Sequence, residues 1–203
     1  MSTRLLAAPH EGILLLTLDG NDGLPRLTRS LLAELGSQIE RLATTPESPG
    51  CVITGSDRAF AVGADVNELV RLSPAEAFDF SREGQRVLRI IEQSAKPVVA
   101  AIRGYCMGGG LDLALACHAR IASPDAVFAH PGGTLGILTG WGGTQRLTRL
   151  IGRARALEML TTGRTLDAKE AREFGLLSEI VSSPQLTSTA FDRSRRMLNL
   201  ISH

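Results

Sequence analysis

Net charge is nearly absent from this chain: 22 Lys and Arg against 21 Asp and Glu leave +1 over 203 residues. That balance provides no broad basic field, which argues against nucleic acid as the main partner. Cysteine is scarce as well. Cys51, Cys106 and Cys117 have neither an even count nor CxxC spacing. Structural disulfides and a zinc site are therefore not expected, in keeping with a reducing cytosol. No run of 18 apolar residues occurs, and Met1–His10 lacks the charged-then-apolar order of a leader. The expectation is a cytoplasmic protein without a membrane partner. At this length one domain with a substantial core is the default.

What the chain does have is glycine. It holds 21, gathered in two blocks, Gly108–Gly110 and Gly132–Gly143, rather than spread as a linker. Concentrated glycine marks backbone brought close to something.

Read in order, Ile13–Leu18 is a strand ended by the turn residues Asp19 to Gly23. Thr28 opens a helix with Leu31, Leu32, Leu35, Ile39 and Leu42 on one stripe. Cys51–Thr54 is a buried strand, and a long amphipathic helix runs from about Pro74 to Ser94. Pro97–Ile102 is strand again, then Gly108–Cys117 a helix apolar on nearly every face. Short strands follow at 120–122 and 127–128, helices at about 143–150, 153–161 and 168–174, and a last strand at 177–181. Strands alternating with helices make the fold class α/β. Periodicity leaves a doubly wound sheet and a spiral of ββα units equally open. No boundary is expected before about Ser182, where a polar tail with Arg193, Arg195 and Arg196 begins. Leu186, Ala190, Met197 and Leu200 give that tail a helical stripe, to be packed on the chain's own core or on a neighbouring subunit.

Three segments carry chemical information. In the first, a strand and a tight turn lead through Gly108–Gly110 into an apolar helix whose single charge is Asp112. A carboxylate in the first turn is favoured by unpaired N–H groups and the helix dipole. The glycines leave those N–H groups open to a ligand oxygen. Helix capping and close packing explain the same residues equally well. The second segment is Phe60-Ala61-Val62-Gly63-Ala64-Asp65, weak on its own, since Asp65 reads most simply as the cap of the following helix. The third runs from Phe128 through His130-Pro131-Gly132 to Leu147. It lacks a P-loop lysine and dinucleotide-type glycine spacing, which disfavours a nucleotide site.

Together and in this order, the three segments resemble the crotonase family of enoyl-CoA hydratases and isomerases. The resemblance runs from about Ile13 to Val181. It rests on Lys96-Pro97 with its apolar strand, Gly104-Tyr105, Gly108-Gly109-Gly110 with Asp112 after them, and Gly142-Gly143-Thr144-Gln145-Arg146-Leu147. It implies a crotonase-like spiral of ββα units over residues 1–182, with 183–203 as a shortened C-terminal helical segment. It also implies assembly as a homotrimer or hexamer. The ligand is then a coenzyme A thioester, taken as substrate, with no permanently bound cofactor. Carried over by position, the backbone amides of Ala64 and Gly109 become oxyanion-hole donors and Asp112 the acid–base group. Phe60, Val62, Ala64, Asp65, Gly108, Gly109, His130 and Gly132 become substrate-binding positions.

The departures matter as much. Hydratases of the family pair two glutamates; Asp112 stands at the first position and Gly132 at the second. One carboxylate serves proton transfer between carbons, as in isomerisation, better than two-carboxylate water activation. His130 is a candidate substitute base, although a histidine beside proline is more often a structural hydrogen-bonder. Tyr105 and Trp141 are expected in the core or along an acyl cavity, and Cys106 as a small buried hydrophobe. Pro25 and Arg26 also depart from the family pattern, on the coenzyme A side. A catalytically silent acyl-CoA or partner binder, and a thioester hydrolase or decarboxylase, remain as alternatives.

Overall fold

The computed structural model describes residues 3–46 and 48–201. Strand β1 (Thr3–His10) and β2 (Ile13–Gly20) form a hairpin, and α1 (Arg29–Thr44) follows. The chain then repeats one pattern, two short strands and a helical return. The repeats are β3 (Cys51–Thr54) and β4 (Ala59–Ala61) with α2 (Val66–Leu69) and α3 (Pro74–Glu92); β5 (Val98–Ile102) and β6 (Tyr105–Met107) with α4 (Gly109–Ala116); and β7 (Ala119–Ala122) with β8 (Val127–Ala129). After these come α5 (Gly143–Ile151), α6 (Arg153–Thr162), β9 (Leu166–Asp167), α7 (Ala168–Glu173), β10 (Glu179–Ile180) and α8 (Leu186–Ile201).

In each repeat the first strand joins one sheet and the second joins another. The larger sheet has the order β1-β2-β3-β5-β7-β10, the smaller β4-β6-β8-β9. All pairings are parallel except β1 with β2 and β8 with β9. This is the spiral of ββα units, not a doubly wound sheet.

Alternation across the strands gives each face of the larger sheet its own core. Val98, Ala100 and Ile102 join the main core with α1, α3 and α4. Val99 and Ala101 face the other way, with Val52 and Ile121, against Leu186, Ala190 and Phe191 of α8. Burial on both faces is why these strands read as unbroken apolar runs. The stripe on the basic tail thus packs on the chain's own sheet, with Met197 at its margin; the side chain of Leu200 lies outside the described residues. Among the described residues no helix is long and apolar enough to cross a membrane.

Three local devices hold the elements that build the site. Thr28 caps α1, and Ser73 with Glu76 forms a reciprocal capping box at α3. Buried Arg120 donates from Nη1 to the carbonyls of Cys117 at 2.6 Å and Ala114 at 3.3 Å, closing the C-terminus of α4. Cys51, Cys106 and Cys117 are free and buried. Burial pushes the Cys117 thiol up to about 12 and the other two well above their usual value.

Candidate active site

The segment from β6 into α4 turns at Gly108, with φ +52° and ψ −121°, backbone that a side chain opposes. The next two glycines are required by space. A Cβ on Gly109 would lie 2.4 Å from the Trp141 ring, and one on Gly110 would lie 2.3 Å from the Ala61 carbonyl oxygen. Gly63, with φ +106°, brings the second loop alongside: its Cβ would stand 3.4 Å from the Gly109 nitrogen.

This juxtaposition brings the loop of Gly63 and Ala64 against the start of α4. The Leu27 N–H donates to Gly63 O at 2.8 Å, and the Asp65 N–H donates to Leu27 O at 3.3 Å. Such a parallel bridge, centred on Ala64, turns the N–H of Ala64 away from Leu27. In the turn, the Gly108 N–H is taken by Ala129 O at 2.9 Å, and the first helical bond runs from Asp112 N to Gly108 O. The Gly109 amide belongs to the helix start, where no intrahelical acceptor exists. Both Ala64 and Gly109 line a cavity of about 400 Å³.

Asp112 enters the same cavity and is fully buried. Its Oδ2 accepts from the Thr139 hydroxyl, and its Oδ1 lies 3.4 Å from His130 Nε2. Burial pushes the carboxyl up to about 7, against the opposing pull of the Thr139 hydroxyl, the Arg146 charge and the Trp141 amide. Burial pushes the His130 imidazole down to about 4. Asp112 Oδ1 and His130 Nε2 are both buried without a hydrogen-bond partner. His130 Nε2 thus has Asp112 Oδ1 as a neighbour and no hydrogen bond.

Of the positions singled out in the sequence, Val62, Ala64, Gly108, Gly109, Asp112, His130 and Gly132 meet at this cavity. Phe60 does not: it is fully buried in the main core through β4. Asp65 does not either. Its carboxylate accepts from the Asn67 N–H at 2.8 Å and caps α2. A Cβ on Gly132 would lie 2.4 Å from the Ile137 carbonyl oxygen, so backbone occupies the direction a side chain there would take. Trp141 belongs to both cavity wall and core. Tyr105 belongs to neither and is 47% exposed, because alternation along β6 points Cys106 inward and Tyr105 out. Pro25 and Arg26 run beside the second loop: Pro25 O accepts from the Val62 N–H, and Arg26 pairs with Asp22 at 3.0 Å.

Sequence reasoning missed Thr139, which no spacing rule connects to a carboxylate 27 positions earlier. It also missed the exposed apolar rim of Leu135, Ile137 and Leu138. Their apolar character amid glycines was the available signal.

The family described as enoyl-CoA hydratase/isomerase matches residues 9–203. A probable enoyl-CoA hydratase of Mycobacterium tuberculosis is 38% identical over 188 residues, covering 92% of this chain and 72% of that protein. The crotonyl-CoA hydratase of Syntrophomonas wolfei is 37% identical over 183 residues, covering 90% and 70%. The crystal structure of an enoyl-CoA hydratase from Bacillus anthracis superposes with a TM-score of 0.86 at 32% identity, covering 100% of this chain and 77% of that one. Motif order, sheet topology and these similarities agree: the chain belongs to the enoyl-CoA hydratase/isomerase family and carries the crotonase fold.

Proposed function

We propose that this protein processes an acyl-CoA thioester by holding its enolate. The amides of Ala64 and Gly109 are the oxyanion donors, and Asp112 is the acid–base group. The observation that carries this reading is the meeting of two acceptor-free amides with a buried carboxyl in one cavity. Removing a proton beside a thioester moves negative charge onto the carbonyl oxygen. Donors already fixed at that place need no reorganisation, and each is worth on the order of 10²–10³ in rate. A carboxyl with a pKa of about 7 exchanges its proton readily near neutrality, in either direction. Asp112 can therefore take a proton from one carbon and return it to another, the requirement for isomerising an enoyl thioester. The thioester is the substrate, and its acyl portion is placed along the apolar wall of Val62, Leu69 and Phe80. Assembly as a homotrimer or hexamer belongs to the same proposal and rests on family membership; light scattering tests it.

Asp112→Asn is the decisive variant. It should abolish turnover of 2-enoyl-, 3-enoyl- and dienoyl-CoA thioesters while calorimetry still detects acyl-CoA binding. Unchanged turnover removes Asp112 from the mechanism. The closed direction at Gly132 favours one second reading, a silent acyl-CoA binder. Wild-type binding without turnover of any of the three thioester classes would establish it in place of the first.

A further inference from the structure

We propose that His130 is a second catalytic acid–base group, and that it shares one proton with Asp112 so that the site can add water to a 2-enoyl thioester. The inference rests on the thioester reading above and extends it from carbon-to-carbon proton transfer to hydration.

The geometry is specific. His130 follows β8, whose Phe128 and Ala129 are buried, and Pro131 starts a 3₁₀ turn immediately after it. His130 is 3% exposed, yet it lines the cavity. Its Nε2 faces Asp112 Oδ1 at 3.4 Å, and neither atom has a hydrogen-bond partner. Orphaned polar atoms are costly in an apolar interior and are rare in native proteins. Two of them side by side, on residues that line one cavity, mark a place where a small molecule that both donates and accepts would be taken up. Water fits that description, as does the hydroxyl of its addition product.

The proton inventory closes. At the start Asp112 carries a proton on Oδ1, and Nε2 of neutral His130 accepts from the bound water. As the water oxygen bonds to the β-carbon, Nε2 takes the water proton. The π electrons of the α–β double bond move into the thioester, forming the enolate held by Ala64 and Gly109. The enolate then takes the Oδ1 proton at its α-carbon, and the carbonyl re-forms. The net change is H and OH added across the double bond, leaving an imidazolium beside a carboxylate. Transfer from Nε2 to Oδ1 across their short separation restores the starting pair. The Thr139 hydroxyl, bonded to Oδ2, keeps Oδ1 turned to the histidine. The missing acid at Gly132 is thereby replaced from two residues away.

The groups facing the pair are Arg146 of α5, the Thr139 hydroxyl, the Trp141 amide and the Cys106 thiol of β6, all around Asp112. His130 is shifted by burial alone. Hydration needs protonated Asp112 and neutral His130, so its rate in the wild type falls as pH rises through about 7. Exchange of the α-protons of butyryl-CoA with D₂O needs ionised Asp112 only, so that rate rises over the same interval.

The test measures hydration of crotonyl-CoA and α-proton exchange of butyryl-CoA on one enzyme. His130→Asn and the longer His130→Gln are expected to lose about 100-fold or more of hydration, as for loss of a general base, and to lose at least about tenfold less of exchange. Asp112→Asn loses both. Opposite pH limbs for the two wild-type reactions support the proposal even if neither histidine variant folds. It is overturned by variants that hydrate as the wild type does, by parallel pH limbs, or by a wild type that exchanges without hydrating. In each of those cases the thioester reading stands. A wild type that neither exchanges nor hydrates removes that reading and this proposal together.

Discussion

Asp112→Asn should stabilise the protein while disabling it, by an amount that pH controls. The carboxyl titrates at about 7 in the folded chain against an ordinary 3.8. Between these values the folded state keeps a proton that the unfolded chain has released. The raised value therefore means full stability below the unfolded pKa and progressive loss as pH rises through the folded one. Linkage puts the loss at about 2 kcal/mol at pH 5 and about 4 kcal/mol at pH 8. Asparagine has no proton to lose, and its amide group can donate to the orphaned His130 Nε2 or to Thr139. The advantage of the variant over the wild type should thus grow by about 2 kcal/mol between pH 5 and pH 8. His130, with its imidazole near 4, stays neutral in the fold over this range and is common to both proteins. Urea unfolding followed by circular dichroism at four pH values measures the difference directly. Parallel stability curves would refute the burial argument, and a variant less stable at pH 8 would refute it more strongly.

Two further substitutions probe the packing that sets the site. Gly143→Ala would place a Cβ 1.9 Å from Asp112 Oδ1 and 2.9 Å from Thr139 Cγ2. It should cost about 1–3 kcal/mol by overpacking. In steady-state kinetics kcat should fall by about tenfold or more with a smaller change in KM, because the carboxyl and not the binding surface is displaced; an unchanged kcat would make the position of the carboxyl immaterial. Phe191→Ala removes the largest side chain that α8 sets against the sheet, 3% exposed and stacked on His10 at 4.6 Å. Denaturant unfolding should report a loss of about 3–5 kcal/mol. A loss below about 1 kcal/mol would mean that α8 contributes little to the core.

The long elements were legible because each carries its own period and its own stop. Thr28 begins α1 and Pro74 begins α3 where capping chemistry places them. The runs 51–54 and 98–102 read as buried strands because both of their faces are covered. β4 and β6 were not legible as strands, since each is three residues long and runs directly into a glycine-containing loop. β1 escaped for a different reason. Only Leu5 of its eight residues is buried, so its register comes from pairing with β2 and not from an apolar face. The choice between a spiral and a doubly wound sheet was likewise invisible to periodicity, because it lies in which sheet each second strand joins.

The site was legible in its glycines and illegible in what those glycines approach. A Cβ on Gly109 or on Gly84 would press into opposite regions of the Trp141 indole, at 2.4 and 2.3 Å, and one on Gly143 would press into Asp112. Gly84 lies inside α3, where glycine costs roughly 1 kcal/mol relative to alanine. Its presence there makes sense only beside a large ring brought from 57 positions downstream, a distance no local pattern encodes. The same holds for His130 and Asp112. Their side chains face each other because β8 and α4 flank one turn, Gly108 donating to Ala129. Composition announces that backbone must come close. Topology decides what it comes close to, and here that is a wide indole and a buried carboxyl whose free oxygen is turned to an imidazole.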